Sequence, residues 1–321
     1  MSSSGKILSL KTECVAPFKT LIEVLSNVLT EALWKFTTID PNDSKKFVGL
    51  EIASADRTRT IYVKINLQFH NYSCNQDNYE IGVDLVNLHR LLKSVGKEDI
   101  LQLYVDENDK QNLVMKIDNN EKKYKKIFKL KLLDLNSSPK KEKNKLEYDT
   151  SITMSSSEFH GLCREMSVID DYVEIKCTSK NIFFICKGDF AETSTVFKSE
   201  EGGLNIDNKN EKDKIVQGIY ELKNIVLFSK CANLCNEIEI LLKNDFALII
   251  KYTVANLGEI VVAISPVKED DIKNNMYSYS DDEDNNIKLI DKNNLRLDDS
   301  DDEDFNETNM KKFKNTTKKL N

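Results

Sequence analysis

Four times along the chain, an apolar stripe spaced by three and four residues gives way, across a short polar turn, to an alternating run. The first stripe is Leu21, Ile22, Leu25, Val28, Leu29 and Ala32; it starts a helix predicted over 16–31 and leads into Leu33-Trp34-Lys35-Phe36. The second is Leu85, Leu88, Leu91, Leu92 and Val95, followed by Ile100-Leu101-Gln102-Leu103-Tyr104-Val105. The third is Phe159, Leu162, Cys163 and Met166, followed by Tyr172-Val173-Glu174-Ile175-Lys176-Cys177. The fourth is Leu222, Ile225, Val226 and Ser229, followed by Ile238-Glu239-Ile240-Leu241-Leu242. The three-and-four spacing predicts helices with one buried face, and the period of two predicts half-buried strands.

Strand-like runs fill the intervals at 46–54, 59–67, 111–118, 125–133, 181–188, 191–198, 214–220, 246–253 and 258–265. Two helices and about eight strands per half predict an α+β fold of two similar domains, with helices covering one face of antiparallel sheets. A polar, aperiodic segment with one proline separates the halves and reads as a linker. The expected organisation is an N-terminal domain over 1–135, a connecting loop over 136–147, a C-terminal domain over 148–268 and a tail over 269–321.

Charge sharpens the last boundary. Residues 270–321 hold 14 acidic and 9 basic residues, a net of −5, and only 13 apolar ones. That is too little apolar surface to offset the chain entropy of folding, so a disordered tail is expected. Ser280 and Ser300, each followed by Asp-Asp-Glu-Asp, read as sites for an acid-directed kinase. Lys311-Lys312-Phe313-Lys314 and Lys318-Lys319 resemble a nuclear import signal. The remaining 269 residues carry 39 acids and 37 bases, a net of −2, so any basic surface must be local.

Seven cysteines without a CxxC pair, no signal peptide and no apolar run of membrane-spanning length suggest reduced thiols in the cytosol or nucleus. The opposite faces of the four helices carry the local positive charge. Arg90 and Lys93 share a face with Lys97 just beyond; Lys223 and Lys230 are two turns apart; Arg164 and Lys19 complete the set. Charged helix faces are usually just solvated. Recurrence in all four repeats favours a surface for phosphates, which need cations spread along a track.

Through these residues the chain resembles the proliferating cell nuclear antigen (PCNA) family of eukaryotic and viral sliding clamps. The resemblance runs through 85–109 (LVNLHRLLKSVGKEDILQLYVDEND), 154–169 (MSSSEFHGLCREMSVI), Leu132-Leu133-Asp134-Leu135, the Glu31-Ala32-Leu33-Trp34 ending and Ala263-Ile264-Ser265-Pro266, and it covers about 6–268. It implies a processivity factor for DNA polymerase, not an enzyme, needing no cofactor or metal. The implied assembly is a homotrimeric ring of six similar domains, with twelve helices around double-stranded DNA held without sequence preference. The implied partners are a polymerase, a clamp loader and proteins carrying a PCNA-interacting peptide, and the implied place is the nucleus or a viral replication factory. A lysine-to-arginine ratio of 41 to 5, with 32 asparagines, points to an AT-rich coding genome, viral or protist.

By position, the resemblance assigns Lys19, Arg90, Lys93, Arg164, Lys223 and Lys230 to the DNA-facing lining. Thr20, Ser26 and Gly161 stand where relatives often carry lysine or arginine. Leu132, Leu133, Leu135, Leu146, Ala247, Ser265 and Pro266 fall on the ground where partner peptides dock, although Lys140, Lys141, Lys143 and Lys145 replace the usual apolar mid-loop. An edge strand near 123–131 would meet one near 189–198 between subunits, with Lys125 and Lys126 facing Asp189 and Glu192.

The three histidines, 70, 89 and 160, lack ligand spacing; His89 and His160 lie on the helices beside the lining cations. Cys231 and Cys235 share a spacing of four with no further ligand. No phosphate loop, dinucleotide glycine pattern or nucleophile elbow is present. Competing readings are one subunit of a heterotrimeric checkpoint clamp, favoured by the long tail, and a monomeric polymerase accessory factor.

Overall fold

The computed structural model describes residues 5–38, 47–135, 147–199, 204–208, 215–254 and 257–268. Residues 1–272 form one compact unit, and the positions of Leu146, Ser280 and Ser300 lie outside the described residues. The first half runs β1 (Lys6–Thr12), α1 (Val15–Val28), β2 (Glu31–Thr37), β3 (Gly49–Ala55), β4 (Ile61–Leu67), β5 (Asn71–Cys74), β6 (Tyr79–Asp84), α2 (Leu85–Leu92), β7 (Ile100–Asp106), β8 (Asp109–Asn119) and β9 (Tyr124–Lys131). The second repeats the scheme: β10 (Thr150–Ser155), α3 (Ser156–Met166), β11 (Tyr172–Cys177), β12 (Asn181–Lys187), β13 (Glu192–Lys198), β14 (Asn205–Asn208), β15 (Val216–Glu221), α4 (Leu222–Ser229), a 3-10 turn (Lys230–Leu234), β16 (Glu237–Leu242), β17 (Leu248–Val254) and β18 (Gly258–Ile264).

All four predicted helices are present. The first stops at Val28 rather than 31, because Leu29 is already extended (φ −119°, ψ 125°) and Glu31 opens β2. Asp84 caps α2 by accepting from the Asn87 N–H at 2.8 Å, which satisfies one of the free amides of the first turn. After Ser229 the chain tightens into the 3-10 turn, so Cys231 and Cys235 do not share an α-helical face; Cys231 is buried.

The strands form three antiparallel sheets of five (β5-β1-β7-β8-β9), nine (β14-β10-β16-β17-β18-β4-β3-β2-β6) and four (β13-β12-β11-β15). The nine-stranded sheet belongs to both halves. β18 pairs with β4 along seven residues, from Gly258↔Leu67 to Ile264↔Ile61. The two halves therefore share a backbone ladder as well as a core. Trp34, Phe18 and Phe36 anchor that core in the first half, and Phe159, Phe184 and Phe228 in the second.

Candidate nucleic-acid interface and partner surfaces

α1 packs beside α2 and α3 beside α4, while α1 also touches α4 and the 3-10 turn across the boundary between halves. The four helices thus form one continuous surface, each burying its apolar stripe toward the sheets. Of the six expected lining cations, Arg90, Lys93, Arg164 and Lys223 are exposed, and Lys19 and Lys230 are half-buried.

Some of that charge has local company. The Lys223 ammonium is 3.1 Å from the Glu221 carboxylate, and Lys230 is 3.7 Å from Glu23 on α1. Lys19 donates to the Val95 carbonyl at 3.4 Å, and Arg90 reaches the Asn87 side-chain oxygen at 3.4 Å. Lys93 and Arg164 make no ion pair among the described residues. Glu221 sits two residues before Lys223 and could have been noticed in the sequence. Glu23 comes from the other half of the chain, and no local pattern pairs it with Lys230.

Sequence reasoning also missed two serine–histidine pairs that bridge the helices. His89 Nδ1 on α2 is 2.9 Å from the Ser26 hydroxyl on α1, and His160 Nδ1 on α3 is 2.8 Å from the Ser229 hydroxyl on α4. Each hydroxyl already donates its one proton to a carbonyl three residues back, Ser26 to Glu23 at 2.8 Å and Ser229 to Val226 at 2.7 Å. Each serine must therefore accept from its histidine, which fixes the neutral imidazole with its proton on Nδ1. This polarity is the reverse of a catalytic pair, in which the imidazole takes the hydroxyl proton. Burial lowers the pKa of both rings. Lys93 and Lys19 add to that at His89 against an opposing Glu23, as Arg164 and Lys230 do at His160.

The residues expected to receive partner peptides divide into two groups. Leu248 pairs with Ile264, which brings Ala247 and Ser265 to the same end of the ladder. There Ser265 N–H donates to the Thr60 carbonyl and Val267 N–H to the Ile219 carbonyl, both at 2.8 Å, holding Pro266 between them. Tyr148 donates to the Ala247 carbonyl at 3.1 Å. Two exposed apolar residues that the sequence reading passed over, Ile215 and Phe246, join this patch: the Asn244 amide donates to the Ile215 carbonyl, and Tyr220 donates to that of Phe246.

Leu132, Leu133 and Leu135 lie elsewhere. Leu133 N–H donates to the Gly82 carbonyl at 2.9 Å and continues the nine-stranded sheet beyond β6. Five strand spacings separate it from β18, about 24 Å at the usual 4.8 Å each. The three leucines instead line a cleft of about 530 Å³ with Leu33, Tyr79 and Lys131.

Two long strands, β9 and β13, are left as sheet edges. Ile127 on β9 is 56% exposed and Val196 on β13 44%; Phe190, in the turn before β13, is 73% exposed. β9 is lysine-rich, whereas Asp189 and Glu192 precede and open β13. Lys125 and Lys126 project to opposite faces of β9, as neighbours in a strand must. Lys126 folds over the Tyr124 ring, 4.7 Å from its centroid. Behind β9, the buried Asp99 accepts from Tyr124 (2.7 Å to the nearer oxygen), Asn119 (2.6 Å) and the Gly96 N–H (2.8 Å).

Family models describe the same two halves. Residues 7–139 match the N-terminal domain of proliferating cell nuclear antigen, and residues 143–267 match its C-terminal domain. Among curated relatives, a "Probable DNA polymerase sliding clamp" of Acanthamoeba polyphaga mimivirus is 27% identical over 297 residues. That match covers 83% of this chain but 63% of the relative, so the chain spans less than two thirds of the relative's length. "Probable DNA polymerase sliding clamp 1" of Paramecium bursaria Chlorella virus 1 is 29% identical over 256 residues, covering 78% of this chain and 92% of the relative. With two domain models in tandem over a body of two repeated halves, the chain belongs to the proliferating cell nuclear antigen family.

Proposed function

We propose that the chain is a processivity factor for DNA polymerase, a sliding clamp whose copies close head to tail into a homotrimeric ring around duplex DNA. The single observation that carries this reading is the pair of unmatched edges, β9 and β13, each bearing exposed apolar residues, the first rich in lysine and the second opened by Glu192. A long bare edge is a liability unless it has a partner. Two different edges that fit each other build a heterologous contact, which makes a ring where the rotation closes.

Every ladder among the described strands is antiparallel, and the same pairing between subunits, at full overlap, sets Glu192 beside the Lys129–Lys131 end of β9. Lys131 becomes the partner of Glu192, because Lys129 is already held by Asp109 at 2.8 Å. Lys125 and Lys126 then lie toward Lys198, away from Asp189 and Glu192.

The helix surface faces DNA in this reading. Arg90, Lys93 and Arg164 supply free phosphate contacts, with Lys19, Lys223 and Lys230 more restrained. A sliding contact needs no base readout, and a ring holds by topology, so a modest grip suffices. The Ala247–Ser265–Pro266 patch, enlarged by Ile215 and Phe246, takes the aromatic plug of partner peptides from polymerase and other replication proteins. A clamp loader opens the ring, and the two viral relatives support a place of action wherever the source's DNA is copied, nucleus or viral factory.

The test is the solution mass by light scattering on a sizing column. A species near three times 36.9 kDa supports the homotrimer, and retention on circular but not linearised DNA supports the clamp. A monomer across micromolar concentrations would overturn the homotrimer in favour of a heterotrimer subunit or a one-sided accessory factor.

A further inference from the structure

We infer that His89 and His160 are proton-gated contacts to DNA phosphates, gripping the backbone when charged and releasing it when neutral. The inference rests on the helix surface facing DNA, as proposed above. It starts from the two hydroxyls that are already committed, Ser26 to the Glu23 carbonyl and Ser229 to the Val226 carbonyl. Both serines must accept from Nδ1, so the neutral ring keeps its only proton between the helices. Nε2 is then a bare acceptor in the neutral ring, and no side chain among the described residues is hydrogen-bonded to it in either histidine. A bare acceptor cannot bond a phosphate oxygen, which is itself only an acceptor. Protonation adds an N–H at Nε2 and a positive charge together, the two things a phosphate contact requires.

The surroundings set the direction of the switch. Around His89 stand Glu23 and Lys19 on α1 and Lys93 just after α2, with Lys230 drawn to the same Glu23. Around His160 stand Arg164 on its own helix and Lys230 at the start of the 3-10 turn. Burial and these cations hold both rings below the ordinary histidine value, so both are neutral at slightly alkaline pH. An arriving phosphate opposes the cations and favours the charged form, so binding DNA takes up protons. The device occurs once in each half with its polarity reversed: the histidine is on the second helix in one half and on the first in the other. A residue chosen only to pack one helix pair would have no reason to recur this way. The positions also explain how a lining with serine at 26 and glycine at 161 recovers positive charge.

The experiment measures binding of the full chain to a short duplex by fluorescence anisotropy, across salt, at pH 8 and pH 5.5, with trimer mass as the control for folding. The wild type should bind more tightly at pH 5.5, with a slope of log K against log salt steeper by about 0.9 for each histidine that reaches a phosphate. The H89A/H160A variant should lose that pH response, with the same salt slope at pH 5.5 as at pH 8. The S26A/S229A variant should bind more tightly than wild type at pH 8, because a neutral imidazole freed from its serine can carry its proton on Nε2. A pH response that survives in H89A/H160A would overturn the inference, as would S26A/S229A behaving like wild type. Substituting Arg90, Lys93 and Arg164 by alanine separates the two readings. If that variant binds as well as wild type, the helix surface does not face DNA at all. If it binds weakly and the histidine variants change nothing, only the proton gate is wrong.

Discussion

The two bare edges are held in place by opposite kinds of chemistry. Behind β13 stands an apolar stack: Phe197 on the edge strand meets Phe184 on β12 edge-to-face at 6.0 Å, and Phe184 meets Phe159 on α3 at 6.3 Å. Behind β9 stands a polar node, in which the buried Asp99 carboxylate gathers Tyr124, Asn119 and the Gly96 amide. Area burial sets the position of the first edge and is nearly indifferent to pH. Hydrogen bonds to a charge set the second, and they weaken when that charge is removed. The two edges that would fit each other in the proposed ring therefore respond to different conditions, and acid should loosen the β9 side first.

The largest break expected is Phe184→Ala. Phe184 is almost fully buried, and truncating it should cost about 3–5 kcal/mol in chemical denaturation, with a cost that does not vary between pH 7 and pH 3. Asp99→Asn comes next, at about 1–3 kcal/mol, because a second amide donor would face the Asn119 amide and leave the node unsatisfied. Its signature is the pH profile. Burial pushes the Asp99 pKa up, but the bonds from Asn119, Tyr124 and Gly96, with the nearby Lys126 charge, outweigh it and leave it below the ordinary 3.8. A depressed folded-state pKa stabilises above the unfolded value and is lost as pH falls through the folded one. The gap between wild type and Asp99→Asn should therefore be full at pH 6 and close below pH 3.8. A gap unchanged down to pH 2.5 would remove the carboxylate from the account. Tyr124→Phe, which deletes one donor to that carboxylate, should cost about 0.5–1.5 kcal/mol and shift the same profile upward slightly.

The aromatic stack was legible in the sequence, and the carboxylate node was not. Phe159 falls on a stripe of period 3.6 and Phe184 in the unbroken apolar run Ile182–Cys186, so both read as core candidates, while the choice of Phe184 over Phe183 as the buried one is made by the strand's neighbours. Asp99 lies in a polar turn, where a carboxylate reads as solvated; its side-chain partners come from β8 and β9, and only the fold assembles them. The same limit explains three of the five missed strands, β6 and β14 being the others. β1 carries a register shift between Lys6 and Leu8 that interrupts its alternation, β5 is four residues of mostly polar character, and β10 (TSITMS) looks like a loop until its neighbours supply a sheet. The helix-surface cations were readable because Lys19, Arg90, Arg164 and Lys223 each lie within a single helix. The two serine–histidine pairs and Glu23–Lys230 join helices distant in sequence, so no pattern along the chain announces them. Leu132, Leu133 and Leu135 were readable as apolar, but their distance from Pro266 is a property of strand order.

The smallest effect tests the fit between the edges themselves. In the proposed ring, antiparallel pairing would set Glu192 against Lys131, both exposed, and an exposed ion pair contributes about 0–1 kcal/mol per contact. A ring with three such contacts should dissociate more readily when Glu192→Lys places like charges together, and the loss should shrink as salt is raised, because screening acts over about 8–10 Å at physiological strength. Adding Lys131→Glu restores opposite signs and should return the trimer toward wild-type stability in sedimentation at low salt. Lys125→Glu in place of Lys131→Glu should not rescue, since full overlap carries Lys125 to the Lys198 end. Rescue by Lys125→Glu alone would mean that the two strands meet in another register, while rescue by neither would mean that these edges do not meet.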